Sequence, residues 1–146
     1  MNFFLPILSA FCLLILIYSI FQSKKGNAFY PTKLLYPFGI FVWGDGIVIS
    51  IFWLIVSLFC LFQKDSLYFW LFVCLFWAIR GIGETIYWLN EQFSATHRNP
   101  AAKMIGYKIL KNESVYFLYQ VFWQCLSVIA IFGAIYISKM LFLKND

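Results

Sequence analysis

Four long apolar runs, separated by short polar segments, constrain this chain more than any other feature of its sequence. The runs cover residues 3–21, 38–62, 67–92 and 115–137. Each is close to the ~20 consecutive apolar residues that a transmembrane helix requires. A helix satisfies all of its backbone hydrogen bonds internally, which a chain crossing lipid must do. The pattern therefore predicts an all-α integral membrane bundle of four transmembrane helices, in a single polytopic domain over residues 1–146.

Composition excludes a water-soluble domain. Hydrophobic residues make up 63% of the chain and charged residues 12%, whereas soluble domains average roughly 45–50% and 25%. The sequence contains eighteen Phe, nine Tyr and six Trp. A small core in water could not bury that much aromatic surface, so we expect the lipid bilayer itself to be the main partner of this chain.

Positive charge is concentrated in two of the segments between the runs. Segments 22–37 and 94–114 together hold seven basic residues: Lys24, Lys25, Lys33, Arg98, Lys103, Lys108 and Lys111. The segments that would lie on the opposite side of the membrane hold three basic residues, namely Lys64, Lys139 and Lys144. Loops rich in Lys and Arg face the cytoplasm, which predicts two basic cytoplasmic loops, a short external hairpin turn at 63–66 and both termini outside. We expect an integral protein of a plasma or inner membrane.

The basic charge does not indicate nucleic-acid binding. The formal net charge is +5, but no basic domain with interleaved aromatic residues lies outside the apolar runs. Within the second basic loop, residues 103–111 read KMIGYKILK. This alternation of lysines and apolar residues predicts a short amphipathic helix at the membrane interface.

Cysteine and histidine give no sign of a metal or cofactor site. Each of the four cysteines falls in a different apolar run, and no CxxC or Cys/His zinc spacing occurs. We interpret them as small buried hydrophobic residues. The single histidine, His97, lies in a basic loop and is expected to be a surface residue rather than a base. We therefore expect no cofactor, no metal and no catalytic set.

The third run differs from the others because ionisable groups interrupt it. Arg80, Glu84, Tyr87 and Glu91 follow one another in steps of four, three and four, which places them on one face of a helix. An ionisable stripe in an apolar span is costly and commonly functional. This face is the best candidate for a polar site, with an intramembrane ion pair between Arg80 and Glu84.

Counting along the helices predicts a polar layer near the cytoplasmic side. Asp45 lies seventeen residues before Phe62, and Glu84 lies seventeen residues after Leu67. At ~1.5 Å per residue, both are ~26 Å from the external end. Gln120 and Gln124 reach a similar depth from the cytoplasmic start of the fourth run. The predicted layer contains Asp45, Arg80, Glu84, Gln120 and Gln124.

Two interpretations of this layer remain open. In the structural one, Arg80 and Glu84 neutralise each other and the glutamines join helices. Asp45 then either caps a helix that starts at Gly46 or lies within a slightly broken helix. In the functional one, the layer carries one net negative charge, so Glu84 or Asp45 binds a proton or a cation. The candidate residues for binding or for proton or cation coupling are Asp45, Arg80, Glu84, Tyr87, Glu91, Gln120 and Gln124.

Three classes of function are compatible with these features. We rank first a non-catalytic partner or assembly subunit of a membrane complex, which binds a membrane-protein partner or a second copy of the chain. A small proton- or cation-coupled transporter that works as an oligomer is the alternative. A membrane enzyme acting on a lipid-like substrate ranks third, because no catalytic constellation is recognisable. Fold class alone does not decide among the three.

Overall fold

The protein is all-helical, and its helices are long enough to cross a membrane. The structure, a computed structural model, describes residues 3–63 and 65–145. Its long helices are α1 (Phe4–Lys24), α2 (Trp43–Gln63), α3 (Ser66–Phe93) and α5 (Ser114–Asn145), and a single turn, α4, covers Tyr107–Leu110. Four helices are long and apolar enough to span a bilayer, which confirms the prediction of four span-length helices. The chain divides into two compact units, with the boundary between Phe72 and Val73.

In the first unit, α1 and α2 pack side by side, and the buried residues of α1 are alternately three and four positions apart. The buried residues of α1 recur every three or four positions: Leu5, Leu8, Cys12, Ile15 and Ser19. This heptad spacing is that of two helices packed side by side. Small residues bring the backbones close, since the hydroxyls of Ser9 and Ser57 are 2.7 Å apart and a Cβ added at Gly46 would collide with Ser19. Lipid gives two helices no hydrophobic driving force to associate, so the close packing that small residues allow becomes important.

The second long helix starts at Trp43, five residues later than the apolar run. A 3₁₀ helix, Lys33–Phe38, precedes it and ends at Gly39, which has a left-handed φ of 77°. Asp45 lies in the first turn of α2, and its Oδ2 accepts a hydrogen bond from Phe41 N at 3.2 Å. The carboxylate thus reaches back to an N–H of the chain just ahead of the helix, where backbone N–H groups have no partner within the helix. The structure departs from both predicted arrangements of Asp45: the helix is intact from Trp43 and does not begin at Gly46.

Helices α2 and α3 follow each other closely along the chain. Helix α2 ends at Gln63 and α3 begins at Ser66, where Leu67 N donates to Asp65 Oδ1 at 3.0 Å. Lys64, which entered the charge comparison, lies outside the described residues. The last helix is longer than its apolar run and continues to Asn145, because residues 138–144 contain Lys, Met and Leu, which favour helix, and no Gly or Pro.

In the second unit, α3 and α5 approach each other closely at small residues. A Cβ added at Gly133 would lie 2.9 Å from Cys74 Sγ. One added at Gly81 would lie 3.2 Å from the Trp123 carbonyl oxygen and closer still to the Ser127 hydroxyl. Gly83 differs, because a Cβ there meets no atom within 4 Å. Gly81 and Gly133 are therefore the positions where the two helices need the absence of a side chain.

We expect Gly81→Ala to destabilise the protein and Gly83→Ala not to. Alanine favours a helix over glycine by ~1 kcal/mol at either position. At Gly81 the added methyl group overpacks the contact with α5, which typically costs about 1–3 kcal/mol. Thermal unfolding of both variants in detergent measures the difference. A Gly81→Ala protein at least as stable as Gly83→Ala would contradict this account of the helix contact.

Candidate functional site

The most completely built polar site lies where the end of α3 meets the loop 94–113. Glu91 is only 4% exposed. Its Oε1 accepts a hydrogen bond from Arg98 N at 3.0 Å, and its Oε2 accepts one from Asn99 N at 3.1 Å. Hydrogen bonds to an ionised carboxylate are roughly twice as strong as neutral ones. The Glu91 carboxylate therefore fixes the backbone of the loop at Arg98 and Asn99, shortly after the end of α3.

Asn99 is held from both helices of the unit. Its side-chain Nδ2 donates to the Tyr87 hydroxyl at 2.5 Å, and its backbone carbonyl oxygen accepts from the Tyr116 hydroxyl at 2.8 Å. Tyr87 belongs to α3 and Tyr116 to α5, so Asn99 links the two. Tyr116 is completely buried, and its hydroxyl is satisfied by this bond, as a buried polar group requires.

His97 completes the arrangement. Its Nδ1 lies 3.0 Å from the Glu91 carbonyl oxygen, and Nδ1 is the donor in this contact because a carbonyl oxygen only accepts. The ring stacks on Tyr116 with centroids 4.9 Å apart, and Nε2 is 3.5 Å from Glu113 Oε1. The expectation of a surface histidine holds only in part, since His97 is half-buried. Tyr87, Glu91, His97, Asn99 and Tyr116 are called the clasp below.

An aromatic cluster adjoins the clasp and shares Tyr116 with it. Trp88, Val115 and Tyr116 form its buried centre. The Trp88 ring stacks on Tyr116 with centroids 6.3 Å apart and lies 4.7 Å from Tyr119. Loop residues Ala101, Met104, Tyr107 and Leu110 pack against the same centre. The loop is thus fixed by apolar packing as well as by the clasp.

The loop turns its cations and two isoleucines outward. Residues 103–111 do not form one amphipathic helix. A 3₁₀ turn, Ala101–Lys103, ends where the segment begins, Gly106 has a φ of 95°, and only Tyr107–Leu110 form the single turn α4. Ile105 is 87% exposed and Ile109 85%. Lys103, Lys108 and Lys111 are exposed beside them. The folded loop therefore presents apolar side chains surrounded by positive charge.

Arg80 and Glu84 form the predicted ion pair within α3. Arg80 Nη2 lies 3.1 Å from Glu84 Oε1, and the two side chains are 24% and 16% exposed. The pair joins residues one helical turn apart, so it needs no other helix to form. It lies one to three turns before the clasp on the same face of α3.

The glutamines of α5 share the level of this pair. Gly81 approaches Trp123 and Ser127, and farther along α3 Trp88 stacks on Tyr116. Residues 120–124 of α5 therefore lie opposite the part of α3 that carries Arg80 and Glu84. Gln120 is half-buried, whereas Gln124 is exposed. Asp45 belongs to the other compact unit, and its place in a common layer stays a prediction.

Of the five clasp residues, the sequence pattern indicates Tyr87 and Glu91 as site residues, treats His97 as a surface residue and misses Asn99 and Tyr116. Tyr87, Glu84 and Glu91 were selected by their spacing along one helix. Asn99 lies in an irregular loop, and Tyr116 lies in the first turn of an apolar helix, where an aromatic residue suggests an interfacial anchor. One available signal was the pair Asn99-Pro100, since Asn before Pro favours a turn.

We expect Glu91→Gln to loosen the loop while the helices remain folded. The amide keeps one oxygen acceptor, but its NH₂ group faces a backbone N–H donor and cannot accept from it. Loss of a hydrogen bond to a charged group costs about 1.5–3 kcal/mol. Hydrogen exchange at the Arg98 and Asn99 amides, and tryptic cleavage after Arg98 and Lys103, should both accelerate.

Glu113→Gln is the matched control for that variant. The Glu113 side chain is 69% exposed, and the Arg98 and Asn99 amides donate to Glu91 instead. It should leave amide exchange at Arg98 and Asn99 nearly unchanged. Equal exchange in the wild type and Glu91→Gln would show that the carboxylate does not fix the loop.

We expect Arg80→Met to be more harmful than the double change Arg80→Met with Glu84→Gln. The single variant leaves a mostly buried carboxylate without its cation, and breaking a fully buried pair costs about 3–5 kcal/mol. The partial exposure of this pair makes a smaller cost the expectation. Unfolding temperatures in detergent for the wild type, both single variants and the double variant give the coupling between the two residues. Additive effects would contradict an energetically important pair.

Within the described ranges 3–63 and 65–145, no group of three or more His, Cys, Asp or Glu side chains is arranged to hold a metal ion. Comparison of the chain with protein-family models, curated proteins and solved structures gives no match. The function is therefore inferred from the clasp, the ion pair and the surfaces that they support.

Proposed function

We propose that this chain is a non-catalytic assembly subunit of a membrane complex and that it recognises its partner through the loop 94–113. The observation that carries the proposal is that Glu91, a buried carboxylate, directs both oxygens to the loop backbone. A carboxylate used in this way determines the shape of a surface.

A pre-shaped loop is an advantage for recognition. Binding by a flexible segment loses free energy when the segment becomes ordered, and prior ordering removes that cost. The clasp and the aromatic cluster order this loop before any partner arrives. Its exposed isoleucines supply an apolar centre, and Lys103, Lys108 and Lys111 supply a positive rim, as in the general anatomy of protein interfaces. The matching partner is a membrane protein with an acidic rim around an apolar patch.

The distribution of positive charge supports a cytoplasmic position for this loop. The loops 22–37 and 94–114 contain seven basic residues against three on the other side, and such loops remain inside. Both termini are then external, and the protein belongs to a plasma or inner membrane. The partner therefore meets this surface from the cytoplasmic side.

The same observations support the other two classes less well. Coupled transport by Glu84 requires a carboxyl that binds and releases its ion, yet Glu84 is 3.1 Å from Arg80. That ion pair would have to open in every cycle. A lipid-acting enzyme requires a reactive group that faces a substrate, whereas the Glu91 carboxylate and the Asn99 side chain are engaged within the clasp.

Photo-crosslinking in native membranes tests the proposal. A photoreactive residue at Ile109 should give a discrete protein adduct whose crosslinked site lies among acidic residues, and the yield should fall with salt because exposed charges are screened. Glu91→Gln should lower the yield severalfold by loosening the loop. A photoreactive residue at Ile129, 68% exposed on α5, is the control and should not respond to Glu91→Gln.

Two results would contradict the proposal. Ile109 adducts with lipid alone, or a yield that is the same with and without Glu91→Gln, would show that the loop surface is not a recognition surface. A cysteine at Ile109 separately tests the orientation. It should react with a membrane-impermeant maleimide only after the cytoplasmic side has been opened.

A further inference from the structure

A large apolar groove lies in the first compact unit, far along the chain from the clasp. Its volume is about 720 Å³, within the range of roughly 300–1,000 Å³ that is usual for ligand sites. It is lined by Phe11, Leu14, Ile15 and Tyr18 of α1, by residues 31–35 and by Trp43. One wall is therefore a helix face and the other is the segment that leads into α2.

The segment that closes the groove is tied in place. Thr32 N donates to the Phe41 carbonyl oxygen at 2.9 Å, and the Thr32 hydroxyl donates to the Ile40 carbonyl oxygen at 2.5 Å. The bridge between Pro31 and Val42 belongs to the same tie. Where α1 and the start of α2 border the groove, the rings of Tyr18 and Trp43 meet edge to face with centroids 4.9 Å apart. The concave shape thus follows from hydrogen bonds and ring packing within the unit.

The groove combines a long apolar wall with one cation. From Phe11 to Tyr18 the lining follows two turns of α1, or ~10 Å of helix. Lys33 is the only charged residue in the lining, and its side chain is exposed. Lys24 and Lys25, at the end of α1, add positive charge near the same end of the helix. An occupant that fits both features has a flexible hydrocarbon chain and an anionic head.

Aromatic residues indicate the depth of this groove in the membrane. Trp43 is the first residue of α2, and Tyr18, six residues before the end of α1, packs against it. Tyr and Trp are enriched at the level of the lipid headgroups. An occupant with its head at Lys33 and its chain along Phe11 and Leu14 therefore has the depth and direction of a bilayer lipid.

We propose that this groove is a binding site for one anionic glycerophospholipid, with an acyl chain along α1 and the phosphate at Lys33. Lysine next to an apolar surface attracts acidic headgroups at the membrane surface. The remaining lipid-facing surface of α1, such as Ile17, lies outside the groove lining and lacks this cation. The site is independent of the loop 94–113, so it can stand if the proposed recognition surface fails.

Native mass spectrometry of the protein with phosphatidylglycerol or phosphatidylcholine tests this site. The wild type should retain one phosphatidylglycerol molecule in preference to phosphatidylcholine. Leu14→Trp fills the groove from an exposed position and should reduce retention tenfold or more. Ile17→Trp is the matched control, since Leu14 is 66% exposed and Ile17 59%, and it should retain lipid like the wild type. Equal retention by the two tryptophan variants would overturn the groove as the site.

The headgroup contact has a separate test that does not depend on packing. Lys33→Gln should abolish the preference for phosphatidylglycerol, whereas Lys139→Gln, at an exposed lysine outside both the groove and the loop 94–113, should leave the preference unchanged. Inorganic phosphate should not displace the lipid, because it has no chain to occupy the apolar wall. Displacement by phosphate alone, or an unchanged preference in Lys33→Gln, would overturn the proposed lipid site.

Discussion

Polar groups in a chain of this composition depend on partners within the chain, because lipid offers none. The long helices supply those partners for their own backbones. Three side chains reach partners by different routes: Ser9 bonds to Ser57 on the neighbouring helix, Arg80 to Glu84 one turn away, and Glu91 to the backbone of the loop that follows its own helix. Only the last of these orders an irregular segment, and it therefore connects membrane helices with a surface outside them.

Close approach of helices is the second consequence of the lipid environment. Apolar side chains gain little by moving from lipid to another helix, so association depends on packing and hydrogen bonds. Both compact units use glycine, serine and cysteine for this purpose: Gly46 faces Ser19 in the first, and Gly81 and Gly133 face Ser127 and Cys74 in the second. Many of the larger aromatic residues lie on exposed helix surfaces or at the ends of the helices, whereas Trp53 is buried in the middle of α2. At the helix ends, aromatic residues support the loops.

The two basic loops carry the features to which we assign function, although each is built differently. The loop after α3 is held by a buried carboxylate and packs on Trp88 and Tyr116. The segment before α2 is held by Thr32 and the short bridge to Val42. The first presents an apolar centre with lysines around it, which suits a protein partner. The second encloses an apolar groove with a lysine in its lining, which suits a lipid. Both surfaces combine apolar side chains with lysines. They differ in shape, because the second is a concave groove.

The sequence by itself determined the helices and the polar face of α3, because apolar length and helical spacing are local properties. Arg80 and Glu84 could be paired in advance, since residues four apart in a helix are neighbours whatever surrounds them. Tertiary structure alone decided the rest. Periodicity does not show that Gly81 rather than Gly83 faces α5, because that depends on how α3 is turned toward its neighbour. Nor does it show that Glu91 binds Arg98 N and Asn99 N, or that Tyr116 reaches Asn99. Those partners come from the path of an irregular loop, and that path is set by the packing of the loop against two helices.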